Sequence, residues 1–301
     1  MRARAVARSV AAMRPSLPSL AAAVGATAAA LAAAAPAQGA DAIYGGTAKG
    51  GAPIVLKADA KLQVLRSIVL SWDAPCSDGR LYEGGGELTP AEAVPGFSPG
   101  PREVLVSRNG KGRFAGTQRY ASDLGASVSA VEVKVSGTLK PKRAGGTLSA
   151  IVKIADKASG AEITSCQISG SWIATRDPGS IYGGATSQGA PFVLRLANAA
   201  ARVNDVLTAW QAPCPGDAGY FGGPDHFVNF PVKANGRFGN PFTDDSVRPD
   251  GAKSHYEYSI AGQLRRANAK GTLRVKVTNT DASGTATVCD SGTVRWTVTT
   301  G

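Results

Sequence analysis

The chain has 301 residues, room for one large domain or two of ordinary size, and its 43% hydrophobic content excludes a disordered chain. Its 37 glycines, 18 prolines and 6% aromatics suit short strands joined by many turns. The formal net charge of +11 is spread along the chain, with Lys142-Arg143 and Arg265-Arg266 as its adjacent basic pairs. This reads as a mildly basic solvated surface with a weak attraction for anionic polymers, not as a nucleic-acid site.

Residues 1–42 read as a signal peptide. Arg2, Arg4, Arg8 and Arg14 precede an apolar, Ala-rich run from Leu20 to Ala35, and small residues at Ala37 and Ala42 fit cleavage sites. The run is too short and too weakly apolar for a good membrane span. The expected location is therefore secreted or extracellular, with no membrane span in the mature chain.

From residue 43 the chain repeats itself. IYGGTAKGGAP, opening at Ile43, and WDAPC, ending at Cys76, return as IYGGATSQGAP from Ile181 and WQAPC ending at Cys214. Trp72 and Cys76 map onto Trp210 and Cys214 by one shift of 138 residues (210 − 72). The expected organisation is a first β-domain over 43–176, a linker over 177–180 and a second β-domain over 181–301.

Within each copy the apolar pattern has the period of strands. A short strand is expected at Ile43-Tyr44, ended by Gly45-Gly46, and a longer one over 62–74. In that longer strand Ile68, Leu70, Trp72 and Ala74 share a parity with Cys76 and face the core. The segment 81–101 is rich in Gly and Pro and is about fourteen residues longer than its counterpart, as expected of a surface loop. Beyond it Val131, Val133 and Val135 alternate with Glu132 and Lys134, and Leu273, Val275 and Val277 alternate with Arg274 and Lys276. No sustained helical period occurs. The fold class is all-β: two tandem antiparallel domains of about eight strands each, a β-sandwich or a small meander barrel.

Each copy holds two cysteines, and duplication favours the pairing that makes each copy self-sufficient: Cys76 with Cys166, and Cys214 with Cys289. No C-x-x-C knuckle supports a metal site, so neither metal nor cofactor is expected. Cys166 lies six residues before Trp172 but Cys289 seven before Trp296. A bulge around Ser291-Gly292 would put Cys289 and Trp296 back on one face.

No catalytic residue is assigned, and an enzyme is not the expectation. His226 opens a strand beside Asp225, but neighbours in a strand face opposite ways; His255 takes an outward parity. Paired carboxylates suited to glycoside hydrolysis are Glu83 with Glu87, or Asp244 and Asp245 with Asp250, all read as loop residues. The tryptophans repeat and belong to the core. Aromatics without a twin on Gly-rich loops, Tyr220 and Phe221 with Tyr82 and Phe97, are the candidate binding residues.

The Tyr-Gly opening, SQG-x-P at 187–191, GRF at 112–114 and 236–238, GTLR at 271–274 and CDSGTVRWT at 289–297 together resemble an uncharacterised family of exported β-domains from high-GC bacteria. The likeness spans nearly all of 43–301, and CQISGSWIAT marks the first copy as the more diverged. The resemblance implies export and a β fold and brings no activity. The functional expectation is a binding or structural role at or outside the cell surface, with an anionic envelope polymer or an extracellular protein as partner. The rival expectations are an extracellular polysaccharide hydrolase and a protein-binding inhibitor or adhesin.

Overall fold

A computed structural model describes residues 41–88, 112–197, 200–215, 220–247 and 251–301, which belong to one compact unit over Gly39–Gly301. Residues 1–40, where the signal peptide is expected, lie outside the described residues. No helix among the described residues is long and apolar enough to cross a membrane.

The first copy forms β1 (Ala42–Ala48), β2 (Pro53–Ala58), β3 (Leu65–Pro75), β4 (Leu81–Leu88), β5 (Arg113–Asp123), β6 (Ser127–Lys140), β7 (Arg143–Asp156) and β8 (Glu162–Thr175). The second forms β9 (Ile181–Thr186), β10 (Pro191–Ala197), β11 (Arg202–Pro213), β12 (Tyr220–Pro231), β13 (Arg237–Val247), β14 (Lys253–Leu264), β15 (Asn268–Thr280), β16 (Ala286–Asp290) and β17 (Val294–Thr299). Every pairing is antiparallel, and the first sheet runs β4-β3-β2-β1-β8-β7-β6-β5. That path is the order of an up-and-down meander ring, with no pairing of β4 to β5 among the described residues. The second sheet repeats it as β12-β11-β10-β9-β17-β15-β14-β13, with β16 paired to β15. Of the two closures that alternation allows, the strand order is that of the meander barrel.

Side chains, not backbone, cross the opening of the second ring. Phe227 on β12 meets Phe242 on β13 with ring centroids 5.2 Å apart, and Phe230 meets Phe238 at 6.4 Å. Both interiors are filled. Trp72, Trp172, Tyr44, Leu56 and Ile68 are buried in the first, and Phe192, Trp296, Leu194 and Ile260 in the second.

The disulfides pair as expected, Cys76–Cys166 and Cys214–Cys289. Cys76–Cys166 ties the end of β3 to β8, and Cys214–Cys289 ties the end of β11 to β16. The extra residue before Trp296 is absorbed as a bulge. Cys289 pairs with Val277, while five residues on Val294 pairs with Leu273, only four residues back along β15. Gly292 takes φ +61° there, a conformation open to glycine, so Cys289 and Trp296 are both buried on the inner face.

Two local expectations differ from the structure. Gly45 and Gly46 do not end the first strand; β1 continues through them to Ala48. The reason is outside the barrel, where the second copy packs. Val55, Val69, Ile181, Val193 and Leu207 form a small buried seam on the outer faces of β2, β3, β9, β10 and β11. A Cβ on Gly45 would lie 2.6 Å from Val193 Cγ1, and one on its twin Gly183 would lie 2.8 Å from Val55 Cγ1. Each copy thus presents the same glycine to the same valine of the other, the reciprocal contact of a two-fold dimer, made here within one chain.

The second difference concerns the extra segment. Its first residues, Leu81–Leu88, are not loop but the strand β4 paired with β3, as β12 is paired with β11 in the second copy. The rest of that segment, residues 89–101, lies outside the described residues.

The reciprocal seam makes a testable demand. Gly183→Ala is expected to cost about 1–3 kcal/mol by overpacking Val55 and Ile43. Combining it with Val55→Ala should recover part of that loss, so the two changes are less than additive in urea unfolding. Additive losses would show that the glycine and the valine do not meet.

Candidate functional site

The strongest cluster of perturbed groups lies where the two copies meet. Asp73 on β3 and Glu83 on β4 are cross-strand partners on the outer face of the first barrel. Opposite them the second barrel brings Gln211 and the backbone of Gly222 to Pro224, and the β9–β10 turn adds Gln188 and Gly189. The Glu83 carboxylate rests against Gly222 and Gly223, so a side chain at Gly222 would collide with it. Under the repeat, Glu83 and Gly222 pair with the twin positions Asp73 and Gln211. Glu83 therefore touches its own twin, and the cluster sits on the pseudo-two-fold axis.

Burial pushes the Glu83 carboxyl from its ordinary 4.5 up to about 7, and the negative charges of Asp73 and Asp225 add to the shift. Burial also raises Asp73. Asp225 points into the second barrel, where burial raises it against the hydrogen bonds it accepts from Trp210 Nε1 and the Tyr258 hydroxyl, and Asp244 raises it further. Burial, followed by Asp225, raises Tyr258 in turn. Glu83 thus sits beside two further acids that burial also pushes upwards.

No family model, curated protein or solved structure matches this chain.

The cleft over Asp73 and Glu83 has a cavity volume of about 70 Å³. That is room for a few waters, far below the roughly 300 Å³ at which small-molecule pockets begin. Larger hollows of about 500 Å³ and above are open depressions on outer sheet faces, one beside Arg119, Glu132 and Lys153 and another beside Glu257, Arg274 and Lys276. No group of three or more His, Cys, Asp or Glu among the described residues is arranged to hold a metal ion.

The structure separates the carboxylates that the sequence grouped. Glu83 faces Asp73 and Asp225, whereas Glu87 is exposed further along β4. Asp244 and Asp245 are not loop residues; they lie on β13, paired with Tyr256 and His255 through a ladder that reaches Val247. Asp250 lies outside the described residues. The histidines each find an acid on a neighbouring strand. His226 Nε2 is 2.7 Å from Asp205 Oδ1, not beside Asp225, and His255 Nδ1 is 2.7 Å from Asp245 Oδ1. Both pairs are on the outer surface, and among the described residues neither imidazole bonds to a hydroxyl that could serve as a nucleophile.

Of the candidate binding aromatics, Tyr82 is half-buried and stacks on Trp72 with centroids 5.9 Å apart, and its hydroxyl is 3.1 Å from Ser129 Oγ. Its ring belongs to the edge of the first core. Tyr220 and Phe221 open strand β12, opposite Pro213 and Ala212, and do not lie on a loop; their side chains, and all of Phe97, are outside the described residues.

Asp73 and Asp225 escaped sequence reasoning because neither lies near Glu83 in sequence and only the packing of one barrel on the other unites them. The linkage gives a signed expectation. Folded Glu83 holds its proton more tightly than the unfolded chain does, so its contribution lowers stability as pH rises from about 4.5 to about 7, and is constant above. The loss is on the order of 3 kcal/mol. Glu83→Gln should flatten this part of the stability profile in urea unfolding across that window, and an unchanged slope would place the proton elsewhere.

Proposed function

We propose that this protein is an exported binding or structural protein that meets its partner through its outer surface and not through an internal pocket. The observation that carries the reading is the filling of both barrels. Meander barrels that take small molecules keep a cavity inside, whereas here tryptophan, tyrosine and aliphatic side chains occupy both interiors. The two disulfides fit an oxidising, non-cytoplasmic compartment. The basic, apolar and small-residue segments of 1–42 support export by a signal peptide, and the repeat signature supports membership of the exported β-domain family it resembles.

A polysaccharide hydrolase is the second reading, favoured by the perturbed acids Glu83, Asp73 and Asp225. Against it stands the size of the cleft, which does not admit a sugar ring between the carboxylates.

The test is retention of the purified protein on cell-envelope fractions and insoluble polysaccharides, at low and at high salt, with release of soluble sugar followed in the same samples. Retention without sugar release is expected. Sugar release that disappears in Glu83→Gln would favour the hydrolase, and retention on no fraction would count against surface binding.

A further inference from the structure

Among the described residues the charge is sorted by end. In the first barrel the β6–β7 turn carries Lys140, Lys142 and Arg143, all exposed. In the second the equivalent β14–β15 turn carries Arg265 and Arg266, with Lys270 close behind, also exposed. Arg113 and Arg237, twins in the two GRF motifs, open β5 and β13 beside these turns: Arg113 pairs with Thr138 and Arg237 with Gln263.

The two turns lie at the same end of the molecule, joined by backbone. Arg176 N–H donates to Lys142 O at 2.9 Å, and three residues on Gly179 N–H donates to Thr300 Oγ1 at 2.7 Å. Thr300 N–H donates in turn to Ala267 O, inside the second basic turn, at 3.2 Å. Each turn is also held from beneath by the tyrosine of its own copy. Tyr44 donates to Lys140 O at 2.9 Å and Tyr182 to Arg266 O at 3.1 Å.

Acids gather at the other end. Ser127 opens β6 opposite Asp156, and Lys140 closes it opposite Arg143, so Asp123 and Asp156 are a full strand away from the basic turn. A strand of that length spans roughly 40 Å. Asp244, Asp245 and Asp281 are placed likewise in the second barrel. Many cations towards that end and on the sheet faces are neutralised, Arg80 by Asp78, Lys157 by Asp123, Arg119 and Lys134 by Glu132, Arg274 by Asp290 and Lys276 by Glu257, while Lys153 and Lys253 stand there singly and not in a cluster.

At the basic end the balance is different. Asp41 is engaged by Lys57 and Arg66, and Asp59 accepts backbone N–H groups of its own turn. Asp177 stands in the connection between the copies. Lys140, Lys142, Arg143, Arg265, Arg266 and Lys270 have no ion-pair partner among the described residues. Unpaired, exposed cations held by a fixed backbone, one group from each copy, form a surface for an extended chain of negative charges.

We propose that this end of the molecule binds a linear anionic glycan, which lies across the two basic turns and engages one from each copy. The inference rests on the surface-binding reading above and names its surface and partner class. A glycan is favoured over a nucleic acid because the disulfides place the protein in an oxidising compartment, where charged polysaccharides are the abundant polyanions. Two turns on one rigid body also gain from simultaneous engagement of a single chain.

The experiment measures binding of the purified protein to immobilised polygalacturonate over a range of salt, with a neutral glucan and a double-stranded DNA fragment as comparisons. Lys140→Gln/Arg265→Gln, which takes one cation from each turn, is compared with Lys153→Gln/Lys253→Gln, which removes the same charge towards the opposite end. The wild type should bind the polyuronate at low salt and be released at high salt. The first double variant should lose about tenfold in affinity and the second should change little. Equal losses in the two variants, or tighter binding to DNA than to polyuronate, would overturn the proposal. Thermal melts check the variants, and Lys142→Gln/Arg266→Gln replaces the first pair if it unfolds. Retention on envelope fractions without binding to polyuronate sinks this inference and leaves surface binding standing, whereas no retention on either sinks both.

Discussion

The close approach of two outer sheet faces governs much of this molecule. A barrel strand normally turns one side chain inwards and the next to solvent, and two barrels meeting through such faces would be held apart by their side chains. Here Gly45 and Gly183 remove the obstacle from β1 and β9, and Val55 and Val193 fill the space each glycine leaves in the other copy. The same geometry accounts for a repeated Ile-Tyr-Gly-Gly opening. The isoleucine packs at the seam, the first glycine admits the opposing valine, the second lets the backbone of the neighbouring strand approach, and the tyrosine points inwards to hold the distal turn. A two-residue shift of register would exchange none of these faces but would separate every reciprocal pair.

An internal two-fold also constrains what can lie on its axis. Identical charged side chains there would face one another at contact distance, the costliest arrangement for a pair of carboxylates. The duplication has resolved this by divergence: Glu83 in one copy faces Gly222 in the other, and Asp73 has Gln211 as its twin. Even so, Asp225 reaches the group from inside the second barrel, and Glu83 keeps its proton to about pH 7. The tryptophans diverge as well. Trp210 Nε1 donates to Asp225, whereas Trp72 Nε1 is buried without a hydrogen-bond partner among the described residues, because Gly86 stands where Asp225 does in the second sheet. The other tryptophan pair is reversed: Trp172 Nε1 donates to Ser136 O and Thr147 O, whereas its twin Trp296 Nε1 is buried with no partner among the described residues, so each copy carries one unsatisfied indole.

Most of the fold was legible because its signals are local. The alternation of Val131, Val133 and Val135 gave strand and face, the twin cysteines gave the cross-links, and the spacing of Cys289 from Trp296 located a bulge to within two residues. The seam was also written in the sequence, as the unbroken apolar runs Ile54-Val55-Leu56 and Ile68-Val69-Leu70, which mark strands buried on both faces. Gly45-Gly46, a dipeptide typical of a strand end, obscures it. The carboxylate cluster had no comparable signal. Asp73, Glu83 and Asp225 meet only through the packing of one barrel on another, and each taken alone is an ordinary acid on a strand.

The placement of charge follows from the same packing and not from composition. Had the copies met head to tail, the basic turns would lie at opposite ends and cancel against acids, leaving a molecule without polarity. The short connection 177–180 and the bond from Gly179 to Thr300 require instead that like ends meet. Bringing the unpaired cations together costs repulsion, although the exposed side chains are separated and screened by solvent. The fold nevertheless fixes their backbones rigidly, with a buried tyrosine under each turn. A net charge that is unremarkable when averaged over the sequence thereby becomes a directed field at one end, and an extended polyanion can satisfy both turns where a compact ion would reach only one.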